Sequence, residues 1–250
     1  MIKWLVLSLT LCGCTTTHIR EDAMMNTKSL APVGFELDQE MAWDVESDHT
    51  KDETAATTKS TYRNIPLQTS FVEALYDSVL NKIESKLKIK KTSIPTILTD
   101  PIYQKILNAH KNVKPFVSGG FDSYLIVGMG PSDLLQELSD EEVEGLKKRF
   151  QVDGLLALRV RVYLNRKDAI RVGDYYPSCL LEIELKDGLS ETPVWEDKVN
   201  SENTAEKLVQ ISGVSDLKSL QSAIEIACNR ASDMLIDQTL ERFNPHARYW

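Results

Sequence analysis

Val152-Asp153-Gly154-Leu155-Leu156-Ala157-Leu158-Arg159-Val160-Arg161-Val162-Tyr163-Leu164 is the stretch on which the fold turns. Its large apolar residues Leu156, Leu158, Val160 and Val162 fall at every second position. That spacing puts them on one side of an extended chain and Arg159 and Arg161 on the other. A strand with one apolar side needs a second layer to bury it. Just upstream, Ser139-Asp140-Glu141-Glu142 has the Ser-x-x-Glu spacing of a capping box, in which each side chain answers a backbone N–H left orphaned at a helix start. It opens a helix predicted to run through Phe150. Before it lie a short helical stretch, Ser132 to Leu138, and a strand-like run, Tyr124 to Met129, ended by Gly130-Pro131. Strand, helices and strand within about 40 residues predict a right-handed βαβ crossover with parallel strands.

Downstream, Cys179, Leu181, Ile183 and Leu185 alternate with Leu180, Glu182, Glu184 and Lys186, and Asp187-Gly188 begins a turn. Val194 to Val199 returns as a strand carrying Trp195, so the pair reads as an antiparallel meander with one wet face. Arg159 and Arg161 are placed to meet Glu182 or Glu184 across neighbouring strands. The last long helix, about Asp216 to Phe243, carries the stripe Leu217, Leu220, Ile224, Ala227, Cys228, Ala231, Met234 and Leu235. At the other end of the domain, Ser70 and Glu73 form a second Ser-x-x-Glu. Val72, Leu75, Val79, Ile83 and Leu87 then repeat at helical spacing. Ile94 to Thr99 reads as a short strand, and Asp100-Pro101 caps a helix that continues to about His110. The fold class expected is α+β: a single mixed sheet with a βαβ unit and an antiparallel meander, packed against long N- and C-terminal helices.

The first residues carry an address. Lys3 precedes an apolar run from Trp4 to Leu11, and small Gly13 stands directly before Cys14 in Leu11-Cys12-Gly13-Cys14. This segment resembles bacterial lipoprotein signal peptides, whose lipobox ends in a small residue before the cysteine that becomes diacylated and N-terminal. Cys12 does not fit that place, because bulky Leu11 precedes it. The apolar run is short of the roughly 20 residues a membrane-spanning helix needs. The resemblance implies residues 1–13 as signal peptide, lipid attachment (palmitate and diacylglycerol chemistry) at Cys14, and a chain anchored in the bacterial envelope facing the periplasm. Thr15 after the lipid cysteine is similar to outer-membrane lipoproteins.

Residues 14–66 read as an acidic flexible tether and 67–250 as a periplasmic α+β domain. From Thr15 to Pro66 the chain has ten acidic against five basic residues and no sustained apolar period. Such a chain spans about 40 Å r.m.s.. Within it, Phe35, Leu37, Met41, Trp43 and Val45 place large apolar groups at odd positions, as in an extended segment with one side to bury. Two readings stand: the segment docks along its own domain, or Phe35, Leu37, Met41 and Trp43 add to a partner's sheet or groove.

Charge and composition narrow the function. The net charge of −8 becomes −9 once Lys3 leaves with the signal peptide, which argues against nucleic acid. The basic clusters Lys86 to Lys91 and Lys147-Lys148-Arg149 sit at predicted helix ends, where cations suit the helix dipole. With Cys14 acylated and Cys12 removed, Cys179 and Cys228 remain. Both fall on apolar faces expected to pack together, as a disulfide or as a pair of buried thiols. His18, His49, His110 and His246 lie far apart, with no local metal-ligand spacing and no cofactor motif. Gly128-Met129-Gly130-Pro131-Ser132-Asp133 is placed like a phosphate loop, but Asp133 stands where the third glycine belongs and brings negative charge. Its simpler reading is a helix start, with Pro131 first and Asp133 capping. Glu182 and Glu184 share a strand face as a catalytic pair would, yet such positions are more often solvated. No Gly-x-Ser-x-Gly nucleophile elbow occurs.

A further likeness lies in Ser132-Asp133-Leu134-Leu135 through Val152-Asp153-Gly154-Leu155-Leu156, followed by two strands and a closing helix. This pattern, over about residues 120 to 243, resembles the small periplasmic α/β domains of lipoproteins similar to the penicillin-binding-protein activators and the curli-secretion lipoprotein. Val152-Asp153 stands where those families have an alanine-aspartate strand start. The resemblance implies a fold and a manner of working, not site residues. The function expected is a non-enzymatic protein-interaction module of the envelope, with the bilayer and an unidentified envelope protein as partners. The alternative is a small-ligand binder or envelope enzyme using the loop Gly128 to Asp133.

Overall fold

The computed structural model describes residues 18–40, 67–112, 121–166, 174–201, 209–210 and 217–243. Within them one mixed α+β sheet is built from β1 (His18–Ile19), β2 (Ser29–Glu40), β3 (Lys90–Lys91), β4 (Phe121–Tyr124), β5 (Gly154–Arg166), β6 (Asp174–Lys186), β7 (Trp195–Asn200) and β8 (Val209–Gln210). The strand order is β1-β7-β6-β5-β2-β3, with β4 also beside β2 and β8 beside β6. The helices are α1 (Glu21–Asn26), α2 (Thr69–Leu87), α3 (Ile94–Leu98), α4 (Pro101–Ala109), α5 (Leu134–Glu137), α6 (Asp140–Phe150) and α7 (Leu217–Phe243).

Alternation along the strands sends apolar residues to one face, where α2 and α7 cover them. Phe35 and Leu37 of β2, Leu156 to Val162 of β5, Cys179 to Leu185 of β6 and Trp195 of β7 meet Val72, Tyr76, Val79 and Ile83 of α2. From α7 they meet Ile224, Ala227, Ala231 and Leu235. The small Ala223, Ala227 and Ala231 let α7 lie close against its neighbours. Cys179 and Cys228 both lie in this core as free, buried thiols. Burial, and then the Cys228 neighbour, push the Cys179 pKa well above its ordinary value.

The opposite face is only partly covered. There α3, α4, α5 and α6 bury Ile97, Tyr103, Leu134, Leu135, Val143 and Leu146 against Ala31, Val33, Leu155 and Ala157. Beyond Ala157 this face turns polar.

The meander β5-β6-β7, both capping elements around α4 and α6, and the closing helix agree with the sequence reading: Asp100 accepts from the amides of Ile102 and Tyr103, and Ser139 with Glu142 forms the reciprocal box. Four expectations are corrected. First, the parallel partner of β5 is β2, paired from Leu30 with Gly154 to Glu40 with Tyr163, and not the run Tyr124 to Met129. That run leaves the strand after Tyr124 and turns at Gly128, whose φ of 85° suits glycine. Second, residues 18–40, read as part of a tether, supply β1, α1 and a central strand; residues 41–66 lie outside the described residues. Acidic Glu36 and Asp38 made the stretch look solvated, although they alternate with Phe35 and Leu37, which are fully buried in the chain's own core. Phe35 and Leu37 are therefore core residues rather than partner contacts; Met41 and Trp43, like Cys14, lie outside the described residues. Third, Ile94 to Leu98 is helix, because Pro95 in its first turn has the right φ and no N–H to lose. Fourth, α2 begins at Thr69 with Gln68 as its cap and no side-chain capping bond, so Ser70 sits inside the first turn.

Candidate functional site

The polar half of the second sheet face is organised by register. Glu36 of β2 pairs with Arg159 of β5, Arg159 with Glu182 of β6, and Glu182 with Lys198 of β7. Four adjacent strands thus place alternating charges in one row, where directly opposite residues are close enough to interact. Arg159 is the hub. Its guanidinium lies 3.2 Å from Glu36, 3.7 Å from Asp38, 3.2 Å from Asp133 and 3.9 Å from Glu182. Arg161, one pleat along, lies 3.5 Å from Asp38 and 4.0 Å from Glu182, and Lys198 closes on the other Glu182 oxygen.

The row is a ramp from interior to solvent. Side-chain exposure rises from 0% at Glu36 through 12% at Arg159 and 24% at Glu182 to 43% at Lys198. The buried end is closed by the turn before α5, where the Ser132 hydroxyl donates to Glu36 at 3.1 Å. Burial, followed by the charge of Asp38, raises the Glu36 pKa; Arg159 opposes both. Burial also works against the Arg159 charge, but Glu36, Asp133 and Asp38 outweigh it and hold its pKa above the ordinary value.

At the open end a cleft of about 250 Å³ is lined by Ser132, Asp133 and Gln136 on one side and by Arg159, Glu182, Glu184, Glu196 and Lys198 on the other. Gln136 donates to Glu184 at 3.1 Å, and Lys186 stands 3.4 Å from the same carboxylate. The cleft and the pairs behind it hold seven carboxylate residues (Glu36, Asp38, Asp133, Glu182, Glu184, Glu196, Asp197) and four cations (Arg159, Arg161, Lys186, Lys198). The excess is acidic.

Of the residues singled out from sequence, Ser132, Asp133, Glu182 and Glu184 meet here, and the expected contact of Arg159 and Arg161 with Glu182 is present. Asp133 does not cap α5 with its side chain; it turns to Arg159. Glu36 and Asp38, the most buried members, were missed because their strand was read as tether. Their even spacing against Phe35 and Leu37 was the available signal.

The Gly128 to Asp133 loop is committed to the fold. The Tyr103 hydroxyl donates to Val33 O at 2.6 Å and accepts from Gly130 N at 2.9 Å, and Phe35 N donates to Gly130 O at 3.0 Å. Met129 N and Leu134 N are used by Ile126 O and Pro131 O. Amides spent this way do not form a phosphate cradle. Among the described residues no group of three or more His, Cys, Asp or Glu side chains is placed to hold a metal ion, and no helix is long and apolar enough to cross a membrane.

No protein-family model matches the chain, and no curated protein matches it. Among solved structures, the crystal structure of lipoprotein GNA1162 from Neisseria meningitidis is similar to 87% of this chain and 98% of its own, with 10% sequence identity and a TM-score of 0.37.

Proposed function

We propose that the chain is a lipoprotein of the bacterial envelope, acylated at Cys14, facing the periplasm from the outer membrane, and that it binds an envelope protein without catalysing a reaction. The observation that carries this reading is the charge row Glu36–Arg159–Glu182–Lys198. Its inner members are fixed by ion pairs and its outer members are presented to solvent by a rigid sheet. Fixed, complementary charge on a rigid scaffold serves recognition, where it governs specificity and rate of encounter. The acidic excess favours a basic patch on the partner. Carboxylates already tied to arginine and lysine are poorly suited to exchanging protons with a substrate.

Intact-mass measurement tests the anchor: wild type carries acyl chains that Cys14→Ala loses. Crosslinking and co-purification from intact cells test the binding. Glu182→Gln with Glu196→Lys is expected to lose a co-purifying envelope protein while thermal unfolding shows the domain folded. Retention of every partner by that variant overturns the binding reading.

A further inference from the structure

The first strand among the described residues begins four residues after Cys14. His18 and Ile19 pair with Glu196 and Trp195, Arg20 N donates to Val194 O at 2.9 Å, and the Arg20 guanidinium holds Asp187 at 2.7 Å. The chain between Cys14 and His18 cannot reach farther than about 14 Å even fully extended. An anchor at Cys14 therefore holds one end of this domain at the bilayer instead of letting it stand off.

That end can be identified. β1 pairs with the start of β7, opposite the end of β6 and the start of β5. β1 and β2 stand four places apart in the strand order, so α1, which joins them, crosses the same end of the sheet. The Lys28 and Ser29 amides then bond Asp153, just before β5 begins. Contacts of Ser78 with Asn229 and Lys82 with Asp233 show α2 and α7 running parallel, so both helices finish here too.

Between the three helix ends lies a groove of about 290 Å³ lined by Met24, Met25, Lys28, Lys88, Ile89 and Leu240. Met25 is 55% and Leu240 39% exposed. Exposed Lys28 and Lys88 line it, and within two residues of its lining positions in the chain stand exposed Lys86, Lys90 and Arg242, against exposed Asp22 and Glu241. Cations at helix ends suit the helix dipoles. The dipoles do not account for large apolar side chains left in water among them.

We propose that this end of the domain docks on the anionic lipid surface to which Cys14 is anchored. Met25 and Leu240 enter the headgroup–acyl boundary, and Lys28, Lys86 and Lys88 face anionic headgroups. The proposal rests on acylation at Cys14. It combines the elements of stable interfacial binding: a lipid chain, an apolar contact and a basic patch. It also orients the charge row, since Arg159 lies about 17 Å along β5 from the docked end.

The test uses acylated full-length protein on vesicles of phosphatidylethanolamine with and without phosphatidylglycerol. An environment-sensitive fluorophore is attached at Met25→Cys, Leu240→Cys or, as a control, Glu225→Cys. Position 225 is exposed and about 22 Å up α7 from Leu240. The expected result is a blue shift at 25 and 240 but not at 225, dependent on phosphatidylglycerol. Lys28→Gln with Lys88→Gln should lower the docking equilibrium roughly 25-fold, at about fivefold per basic residue. Probes at 25 and 240 as wet as the one at 225, on protein whose mass shows the acyl chains, overturn the proposal while leaving the anchor intact. So does a shift that needs no vesicles and grows with protein concentration, which would put a second copy in the groove. Absence of acyl chains from the wild-type protein defeats the anchor itself.

Discussion

Replacing Arg159 by methionine removes the charge but keeps most of the side chain's volume, so it isolates what the guanidinium does for the buried carboxylates. Asp38 keeps Arg161 at 3.5 Å, whereas Glu36 keeps the Ser132 hydroxyl and the neighbouring Asp38, whose charge raises its pKa. Breaking a buried ion pair by removing one partner costs about 3–5 kcal/mol. Here that cost has a ceiling set by pH, because Glu36 can escape it by binding a proton. Against an ordinary value of 4.5, keeping a protonated Glu36 in the fold costs at most about 1.36 kcal/mol per pH unit above that value. The ceiling is about 0.7 kcal/mol at pH 5 and about 4.8 kcal/mol at pH 8. The sign follows from proton counts: a carboxyl whose pKa is raised in the fold has its stability intact below its unfolded value and loses it as pH rises through the folded value. Arg159→Met raises the Glu36 pKa further. Its destabilisation should therefore grow from about 1 kcal/mol at pH 5, mostly lost contacts, to about 3 kcal/mol at pH 8. Urea unfolding of wild type and variant at both pH values measures this, and adding Glu36→Gln should remove the pH dependence. Equal losses at the two pH values, or a loss below about 0.5 kcal/mol at pH 8, would refute the account of Arg159 as the counter-ion of Glu36.

Other outcomes follow from the same geometry. Gly34→Ala would put a Cβ 2.8 Å from Pro131 O and 3.2 Å from the Ala157 Cβ. It should cost about 1–3 kcal/mol in urea unfolding, and a neutral effect would show that β2, whose register against β5 shifts between Pro32 and Gly34, is not tightly apposed to the Pro131 turn. Tyr103→Phe leaves Val33 O and Gly130 N without their shared hydroxyl in a buried site. About 2 kcal/mol should be lost, together with faster amide exchange at Gly130. In reduced native protein neither Cys179 nor Cys228 should react with iodoacetamide near pH 8, because burial keeps both from solvent and holds the Cys179 thiol protonated. Both should react once the chain is unfolded, and labelling of the folded protein would place the pair outside the core.

The legible part of the fold is the part whose strands have one apolar and one polar face. Leu156 to Val162 and Cys179 to Leu185 announce themselves by alternation, and Trp195 marks their neighbour. β2 is harder to read. Its partners are 120 or more residues away along β5, so no local pattern says that Glu36 and Asp38 will meet arginines. Averaged over a long acidic stretch, their charge outweighs the apolar spacing of Phe35 and Leu37. The candidate site was legible to the same extent. Arg159 with Glu182 follows from two adjacent, well-marked strands. The deeper half, Glu36 and Asp38, needed the long-range parallel pairing. Tyr124 to Met129 misled in the opposite way, since an apolar run beside a glycine pair suits a turn that buries Ile126 and Met129 and exposes Val127 as well as it suits a strand.

The central claim is that the charge row presents its outer end to an envelope protein. The most direct measurement puts a photo-reactive amino acid at exposed Glu196, at the mouth of the cleft, and at Glu225 on the opposite helical layer as a control. Crosslinking is done in living cells. The account predicts one discrete adduct with an envelope protein from position 196, absent from position 225 and lost when Glu182→Gln is added. No adduct from position 196, or the same adducts from both positions, would contradict it.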